Sequence, residues 1–308
     1  MRALVTGGSG FIGSNLVDAL VDRGDEVTVI DNLSTGHREN LDGAIAKGTE
    51  LAEVDIRDAA AVAELVARVR PEAIFHLAAQ IDVRVSASDP AHDARINVEG
   101  TINVLDGARQ AGVPRVVNTS TGGAIYGDGR ILPAPEDHPV GPEAPYGQSK
   151  FAAEGYCELF NRLHGLSTVS LRYSNVYGPR QDPLGEAGVI AIFCGKLLEG
   201  GTPTVFGDGL QTRDYIYVGD VLSANLLAAE AKVSGPINIG TGVQTSVLDL
   251  VEALAGHSEN GFEPELAPER AGEVRHNALE TTRAQAELGW QSEVELSDGL
   301  GRTLDSLR

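Results

Sequence analysis

The sequence predicts an α/β fold in which a doubly wound parallel sheet carries helices on both faces. Over the first 175 residues, short and continuously apolar runs alternate with longer amphipathic ones. This alternation is typical of buried parallel strands joined by helices. Beyond about residue 175 the pattern becomes less regular and richer in Gly and Pro, which predicts a smaller, mostly C-terminal α/β lobe. With 308 residues, the chain is long enough for one large domain or two of modest size.

The apolar runs of the first part predict six strands, with four helices between them. The predicted strands span residues 3–6, 26–30, 49–54, 73–77, 115–119 and 167–173. The predicted helices span residues 10–23, 59–70, 91–111 and 145–164. Pro145 favours the start of the last of these helices, because its fixed φ suits the first helical turn.

The later part of the chain predicts fewer regular elements. We expect helices at 189–198, 218–231 and 246–255, a strand at 236–239, and loops at 177–188 and 261–272. These elements suggest a dinucleotide-binding domain formed by residues 1–175 together with 218–240. Residues 176–217 and 241–308 would then form a substrate-binding lobe.

Composition excludes several classes of partner. The chain has 44 acidic and 24 basic side chains, a net charge of −20, so nucleic acid and anionic membrane surfaces would be repelled. It has no apolar run long enough for a transmembrane helix, and its first residues resemble a strand more than a secretion signal, which favours a cytoplasmic protein. Cys157 and Cys194 lie far apart without metal-ligand spacing. We therefore expect two reduced, buried thiols and no metal site.

A glycine-rich segment at residues 6–13 matches the dinucleotide fingerprint. Gly7 follows the first predicted strand, and Gly10 and Gly13 lie in the first turn of the first predicted helix. Glycine there permits a tight turn, close approach of the backbone to a pyrophosphate, and close helix–strand packing. Asp31 ends the second predicted strand, where a carboxylate accepts hydrogen bonds from the adenosine ribose and repels a 2′-phosphate. The segment therefore predicts a Rossmann-type fold that binds NAD.

Three further side chains suggest acid–base chemistry. Tyr146 and Lys150 are four residues apart on one predicted helix, so their side chains share a face. A positive charge near a phenol lowers the phenol's pKa, and we expect Lys150 to make Tyr146 a general base in this way. Thr121, just past a predicted strand, places a hydroxyl at the edge where such sheets bind ligands.

Taken together, these features closely resemble the extended short-chain dehydrogenase/reductases, and among them the NAD-dependent nucleotide-sugar epimerases. The resemblance extends over nearly the whole chain. It is carried by motifs at residues 6–13, 31–36, 55–58, 76–80, 97–101, 146–150, 171–179, 207–209, 213–215 and 238–240. It implies epimerisation of a UDP-sugar at C4, as between UDP-glucose and UDP-galactose, through a transient 4-keto intermediate. It also implies a homodimer formed through the helices near 91–111 and 145–164.

The resemblance further implies which residues line the two binding sites. NAD would be held by Gly7, Gly10, Phe11, Ile12, Gly13, Asp31, Asn32, Leu33, Ser34, Thr35, Gly36, Asp55, Ile56, Leu77, Ala78, Ala79, Gln80, Asn97, Thr119, Tyr146, Lys150 and Tyr173. The nucleotide sugar would contact Thr121, Tyr146, Asn175, Val189, Val205, Phe206, Arg213, Arg270 and Glu273.

One position departs from the family's pattern. Members usually carry Ser or Thr four residues before the Tyr of a Tyr-Gly pair, and here that position is Gly122. Thr121 and Ser120 are the nearest hydroxyls. We expect Thr121 to be the third catalytic group beside Tyr146 and Lys150, steadying the developing oxyanion.

Other reactions of the same chemistry remain open. A 4,6-dehydratase would want an Asp-Glu pair where this chain has Gly122 and Gly123. A glucuronate 4-epimerase or decarboxylase would need a cation for the sugar carboxylate, for which Arg84 and Arg180 are candidates; Arg84 could equally be a surface residue. A non-catalytic NAD-binding protein of this fold would not need the intact Tyr146 and Lys150 pair.

Overall fold

The computed structural model describes residues 1–128, 131–183, 188–258, 261–269 and 274–308. Its strands are β1 (Arg2–Thr6), β2 (Glu26–Asp31), β3 (Glu50–Glu53), β4 (Ala73–His76), β5 (Arg115–Thr121), β6 (Ser167–Tyr173), β7 (Asn175–Tyr177), β8 (Thr204–Phe206), β9 (Thr212–Arg213), β10 (Tyr215–Tyr217), β11 (Gly235–Ile239), β12 (Thr245–Ser246) and β13 (Glu265–Ala267). The α-helices are α1 (Phe11–Asp22), α2 (Asp42–Ala46), α3 (Ala59–Val69), α4 (Val83–Ser88), α5 (Pro90–Ala94), α6 (Gly100–Ala111), α7 (Gly122–Ile125), α8 (Pro145–His164), α9 (Val189–Leu198), α10 (Val218–Glu230), α11 (Val247–Ala255), α12 (Thr282–Leu288) and α13 (Leu296–Leu307).

A seven-stranded parallel sheet forms the centre of the molecule. Its spatial order is β3-β2-β1-β4-β5-β6-β11, and every neighbouring pair is parallel. The chain starts in the middle, winds outward to β3, and then crosses to the other half of the sheet at β4. A doubly wound sheet of this kind places its ligand site beyond the carboxyl ends of the strands, where the winding reverses. The predicted Rossmann-type fold is confirmed.

Both faces of the sheet are covered by apolar helix surfaces. In β1, Ala3 and Val5 belong to the core cluster formed with α1 and α10, whereas Leu4 belongs to the opposite cluster with α3, α6 and α8. Successive strand residues point to opposite faces, so a strand covered on both sides has to be apolar at every position. This is why the strands appear in the sequence as unbroken apolar runs.

Most predicted elements are present within one or two residues of the expected bounds, and α8 has the predicted bounds. The predicted helix 91–111 is wrong in detail, because a π-helical turn at Arg95–Glu99 separates α5 from α6. The predicted loop 261–272 contains the short strand β13, which pairs with β8.

A third apolar cluster lies outside the sheet and joins α9, α11 and α13. Its members include Phe193, Leu250 and Leu304. The division of the chain into two domains at the predicted boundaries stays a prediction.

Cys157 and Cys194 are both buried and unpaired, as the sequence predicts. Within the described ranges, no helix has the length and apolar character needed to cross a membrane. In the same part of the chain, His, Cys, Asp and Glu form no cluster that could hold a metal ion.

Candidate functional site

A large cavity of about 940 Å³ opens at the carboxyl ends of the central strands. It is lined by every residue predicted to bind the cofactor except Leu33 and Asn97. These lining residues are Gly7, Gly10, Phe11, Ile12, Gly13, Asp31, Asn32, Ser34, Thr35, Gly36, Asp55, Ile56, Leu77, Ala78, Ala79, Gln80, Thr119, Tyr146, Lys150 and Tyr173. The volume is at the upper end of the range for ligand pockets, which suits a dinucleotide with a second ligand.

The glycine loop leaves no room for side chains. Gly7 has φ +70°, and a Cβ there would lie 2.7 Å from the backbone nitrogen of Ala78. A Cβ on Gly13 would lie 2.1 Å from the carbonyl oxygen of Gly7. α1 begins at Phe11 directly after this turn, so its unpaired N–H groups face the cavity and favour an anionic group. The loop therefore fits a pyrophosphate.

Asp31 is fixed at the cavity wall by two backbone donors. Its carboxylate accepts hydrogen bonds from the amide nitrogens of Ser9 and Leu33, each at 2.9 Å. Leu33 itself has φ +54° and contributes through this amide without lining the cavity. A carboxylate held in this way retains lone pairs for ribose hydroxyls, and the residues present fit NAD.

Asn97 also acts from behind the cavity wall. Its Oδ1 accepts from the Gln80 amide at 2.8 Å, while its Nδ2 donates to the Gln80 carbonyl at 2.9 Å. Nδ2 also lies 3.1 Å from the Ser149 hydroxyl on α8. Asn97 therefore connects the end of β4 to the helix that carries Tyr146 and Lys150.

The three predicted catalytic side chains meet in this cavity. Tyr146 and Lys150 lie one turn apart at the start of α8, and Thr121 ends β5. The Thr121 hydroxyl approaches the Tyr146 phenol as a hydrogen-bond partner, which lowers the phenol's pKa. The arrangement can place a base, a hydroxyl donor and a cation around one reacting alcohol.

The expectation for the pKa of Tyr146 is wrong in direction. Burial, together with the negative charge of Asp93, raises the pKa of Tyr146 to about 12, and the Thr121 hydrogen bond offsets only part of this rise. Burial also lowers the pKa of Lys150 to about 8. Desolvation of the phenol therefore raises the pKa of Tyr146 even though Lys150 lies one helical turn away.

Two other predicted substrate residues also line the cavity, namely Asn175 and Val189. Arg84 does not lie among the described lining residues. Its side chain is 81% exposed and lies near Asp82. This position is consistent with the surface role that the sequence left open for Arg84.

Three further predicted substrate residues, Val205, Phe206 and Arg213, are not among the described residues that line the cavity. Val205 is buried in the third apolar cluster, and Phe206 lines a small separate cleft. Arg213 lies in β9, outside the lining residues that the structure describes. Arg270 and Glu273 fall outside the described residues. The assignment of these five side chains stays a prediction.

Four further polar residues line the cavity, namely Ser120, Ser174, Arg180 and Gln181. The sequence names Ser120 as a nearby hydroxyl and Arg180 as a candidate cation, and the family resemblance implies that Ser174 lies beside NAD. Gln181 is the one that sequence reasoning missed. The Ser120 and Ser174 hydroxyls are buried without a hydrogen-bond partner among the described residues, as are Oδ1 of Asn175 and Oε1 of Gln181. Buried polar atoms of this kind are ordinarily satisfied, so they indicate where a bound ligand would make contacts. Ser120 and Ser174 lie at strand ends, whereas Gln181 lies in the loop after β7, where no local signal identifies it.

The fold and this cavity are those of an NAD-binding α/β enzyme, with Tyr146 and Lys150 side by side in the cavity wall. The pattern of the NAD dependent epimerase/dehydratase family matches residues 3–240, and the chain belongs to that family. This confirms both the family resemblance seen in the motifs and NAD as the predicted cofactor.

Individual relatives resemble the chain over its full length. The UDP-glucose 4-epimerase of Mycolicibacterium smegmatis is 47% identical, with 100% of this chain and 99% of the relative covered. Among solved structures, the UDP-glucose 4-epimerase of Thermotoga maritima with UDP-glucose is 44% identical, with a TM-score of 0.96 and coverage of 100% and 99%. The Thermus thermophilus UDP-glucose 4-epimerase complex with NAD is 42% identical, with a TM-score of 0.90 and the same coverage.

Proposed function

We propose that this protein epimerises UDP-glucose and UDP-galactose at C4 through a transient 4-keto sugar. The observation that carries the proposal is the meeting of Thr121, Tyr146 and Lys150 in the same cavity as the glycine loop. Sequence identity of 47% and 44% over the full length to two UDP-glucose 4-epimerases supports the same substrate pair.

In the proposed mechanism, Tyr146 takes the proton from the sugar 4-hydroxyl and later returns one to the 4-keto oxygen. Bound NAD⁺ would supply the hydride acceptor and donor, and a positive ring charge that favours a phenolate. Thr121 donates a hydrogen bond that steadies the phenolate oxygen or the developing alkoxide. The Lys150 ammonium favours negative charge on both the phenolate oxygen of Tyr146 and the developing alkoxide of the sugar. The phenol's high pKa in its buried site makes it a strong base once it is deprotonated.

The same cavity argues against the two rival reactions, namely chemistry on a UDP-glucuronate and 4,6-dehydration. Arg180 lines the cavity, but its guanidinium is paired with Asp18 on α1, and Arg84 is exposed. Neither offers an uncommitted cation to a sugar carboxylate inside the cavity. Gly122 and Gly123 begin α7, where a dehydratase would want a pair of acids.

Replacing Tyr146 with Phe tests the proposal. We expect kcat for UDP-galactose to fall at least about 100-fold, since a positioned general base contributes on the order of 10² to 10⁴ in rate. The assay couples product UDP-glucose to its oxidation, and UDP-glucuronate and UDP-N-acetylglucosamine are measured beside it. NAD content and Tm serve as controls and should stay close to wild type. Turnover retained in the Phe variant, or wild-type activity confined to UDP-glucuronate, would contradict the proposal.

We further propose that the protein is a cytoplasmic homodimer. An apolar stripe on α8 supports the dimer: Tyr156 and Leu163 are 36% and 66% exposed, and Ala152 and Leu159 on the same side are half-buried. Residues four and seven apart share a helix face, so these four form a continuous surface. The reduced, buried thiols suit a cytoplasmic protein.

A further inference from the structure

A buried carboxylate lies behind the cavity wall, at a position that the mechanism above does not use. Asp93 in α5 is fully buried. Its Oδ1 accepts hydrogen bonds from the side-chain amides of Gln80 at 3.0 Å and Asn97 at 3.1 Å. Its Oδ2 is buried with no hydrogen-bond partner among the described residues. A buried anion is costly unless an opposite charge compensates it, so the position of Asp93 needs an explanation.

Lys150 is a buried cation on which the charge of Asp93 acts. The groups that act on Lys150 electrostatically are Asp93 from α5, and Glu154 and Cys157 from α8. The charge of Glu154 is already compensated, because Arg172 donates to both of its oxygens, at 2.9 and 2.7 Å.

The other titratable neighbours of Lys150 carry no compensating charge. His76 on β4 feels the lysine charge and has its pKa lowered to about 3, mainly by burial, so it is neutral. Burial raises the pKa of Cys157 to about 12, so its thiol is neutral too. Asp93 is therefore the carboxylate among these groups whose hydrogen bonds come only from neutral amides.

We propose that Asp93 is a positioning residue of the Tyr146 and Lys150 pair: its carboxylate fixes Asn97 and Gln80 beside the cofactor cavity and supplies the counter-charge of the buried Lys150 ammonium. The proposal rests on the proposed function insofar as Tyr146 and Lys150 are the catalytic pair. The two roles are joined in one side chain, because Oδ1 holds the amides while α5, which carries Asp93, packs against α8, which carries Lys150.

The negative charge of Asp93 sets the direction in which the pKa values of Tyr146 and Lys150 shift. A negative group raises the pKa of any neighbour that it faces, and Asp93 raises the pKa of both Tyr146 and Lys150. Removing the charge therefore lowers both pKa values. The two titrations that bound the pH–rate profile, those of Tyr146 and Lys150, should therefore both move to lower pH.

The experiment compares Asp93→Asn with wild type as the NAD-loaded enzyme. Asn keeps the volume and the Oδ1 acceptor but removes the charge, and we expect both limbs of the kcat profile to move down by about 1 pH unit. Asp89→Asn is the matched control, since Asp89 is an exposed cap of the same helix that accepts from the His92 amide, and Asn caps helices equally well. Its profile should stay in place. A loss of rate in Asp93→Asn with unmoved limbs would assign a merely structural role.

A second measurement does not depend on turnover. The chain has only four lysines, Lys47, Lys150, Lys196 and Lys232, so the titration of Lys150 can be followed by NMR with ¹³Cε-labelled lysine and assigned with Lys150→Met. We expect Lys150 to titrate near pH 8 in wild type and about 1 pH unit lower in Asp93→Asn. The other three lysines should not move. An unchanged Lys150 titration overturns the proposal, even if the protein turns out to act on another sugar.

The Lys150 titration is also measured in Asp93→Ala, in case the Asp93→Asn variant does not fold. A Lys150 shift in whichever variant folds, judged by Tm and NAD content, supports the proposal. Failure of both variants to fold would make Asp93 a structural residue and overturn it.

Discussion

At the scale of single residues, Gly122 explains why the hydroxyl beside Tyr146 comes from Thr121. A Cβ at Gly122 would lie 2.5 Å from Cδ1 of Leu279, and Leu279 is fully buried beside Ile125 and Tyr126. A serine in the position that the family usually fills would therefore collide with the core. Thr121 lies at the end of β5, where it reaches Tyr146 without displacing Leu279.

We expect Gly122→Ser to lower the free energy of unfolding by about 1–3 kcal/mol, the usual cost of overpacking a filled core. Leu279→Ala alone should cost about 2–5 kcal/mol through the cavity that it leaves. In the Leu279→Ala background, however, Gly122→Ser should cost close to nothing, because the obstructing methyl groups are gone. Denaturant unfolding of the four proteins measures this coupling. Additive costs would show that Leu279 does not exclude a side chain at position 122.

At the scale of elements, α8 is anchored to the sheet by a buried ion pair. Glu154 lies one turn after Lys150 on α8, and Arg172 lies in β6; both side chains are 3% exposed. Arg172 also donates to the Tyr126 hydroxyl at 2.7 Å, and its guanidinium stacks on the Tyr126 ring, 5.1 Å from the ring centroid. The pair therefore fixes the register of the helix that carries Tyr146 and Lys150.

We expect Arg172→Met to lower the free energy of unfolding by about 3–5 kcal/mol, because it leaves Glu154 as an unpaired buried anion. Adding Glu154→Met should recover a large part of this loss, since an apolar pair of similar volume carries no desolvation penalty. Thermal and denaturant unfolding of the single and double variants measure the difference. A double variant no more stable than Arg172→Met would mean that the cost comes from the lost contacts to Tyr126.

The elements also show how far the sequence predicts this molecule. The bounds of α8 follow from local signals, since Pro145 suits a first helical turn and Gly165 adopts φ +67° at its end. The break between α5 and α6 does not, because the π-helical turn there contains Asn97, whose side chain bonds to the distant Gln80. Local glycine and strand-end patterns likewise predict the glycine loop and Asp31, whereas the rest of the cofactor wall is implied only by the family resemblance. Val205 and Arg213 depend on long-range packing of short strands, which no local pattern specifies.

At the scale of the whole molecule, net charge and the apolar stripe of α8 act in opposite directions on assembly. The chain carries a net charge of −20, so two copies repel each other at low ionic strength. Burial of the stripe that contains Tyr156 and Leu163 favours pairing by about 25 cal/mol per Å² of apolar surface. Because salt screens the repulsion but not the apolar contact, the proposed dimer should tighten as salt is raised.

Tyr156→Glu should therefore convert the dimer to a single chain, because it places a carboxylate in the apolar contact where desolvation costs several kcal/mol. Light scattering coupled to size-exclusion chromatography measures the mass at low and high salt. Val243→Glu is the control, since Val243 is an apolar side chain, 60% exposed, in the loop between β11 and β12. It should leave the mass unchanged while adding the same charge. If both variants remain dimeric, the contact lies on another surface; if wild type is a single chain at high salt, α8 does not pair at all.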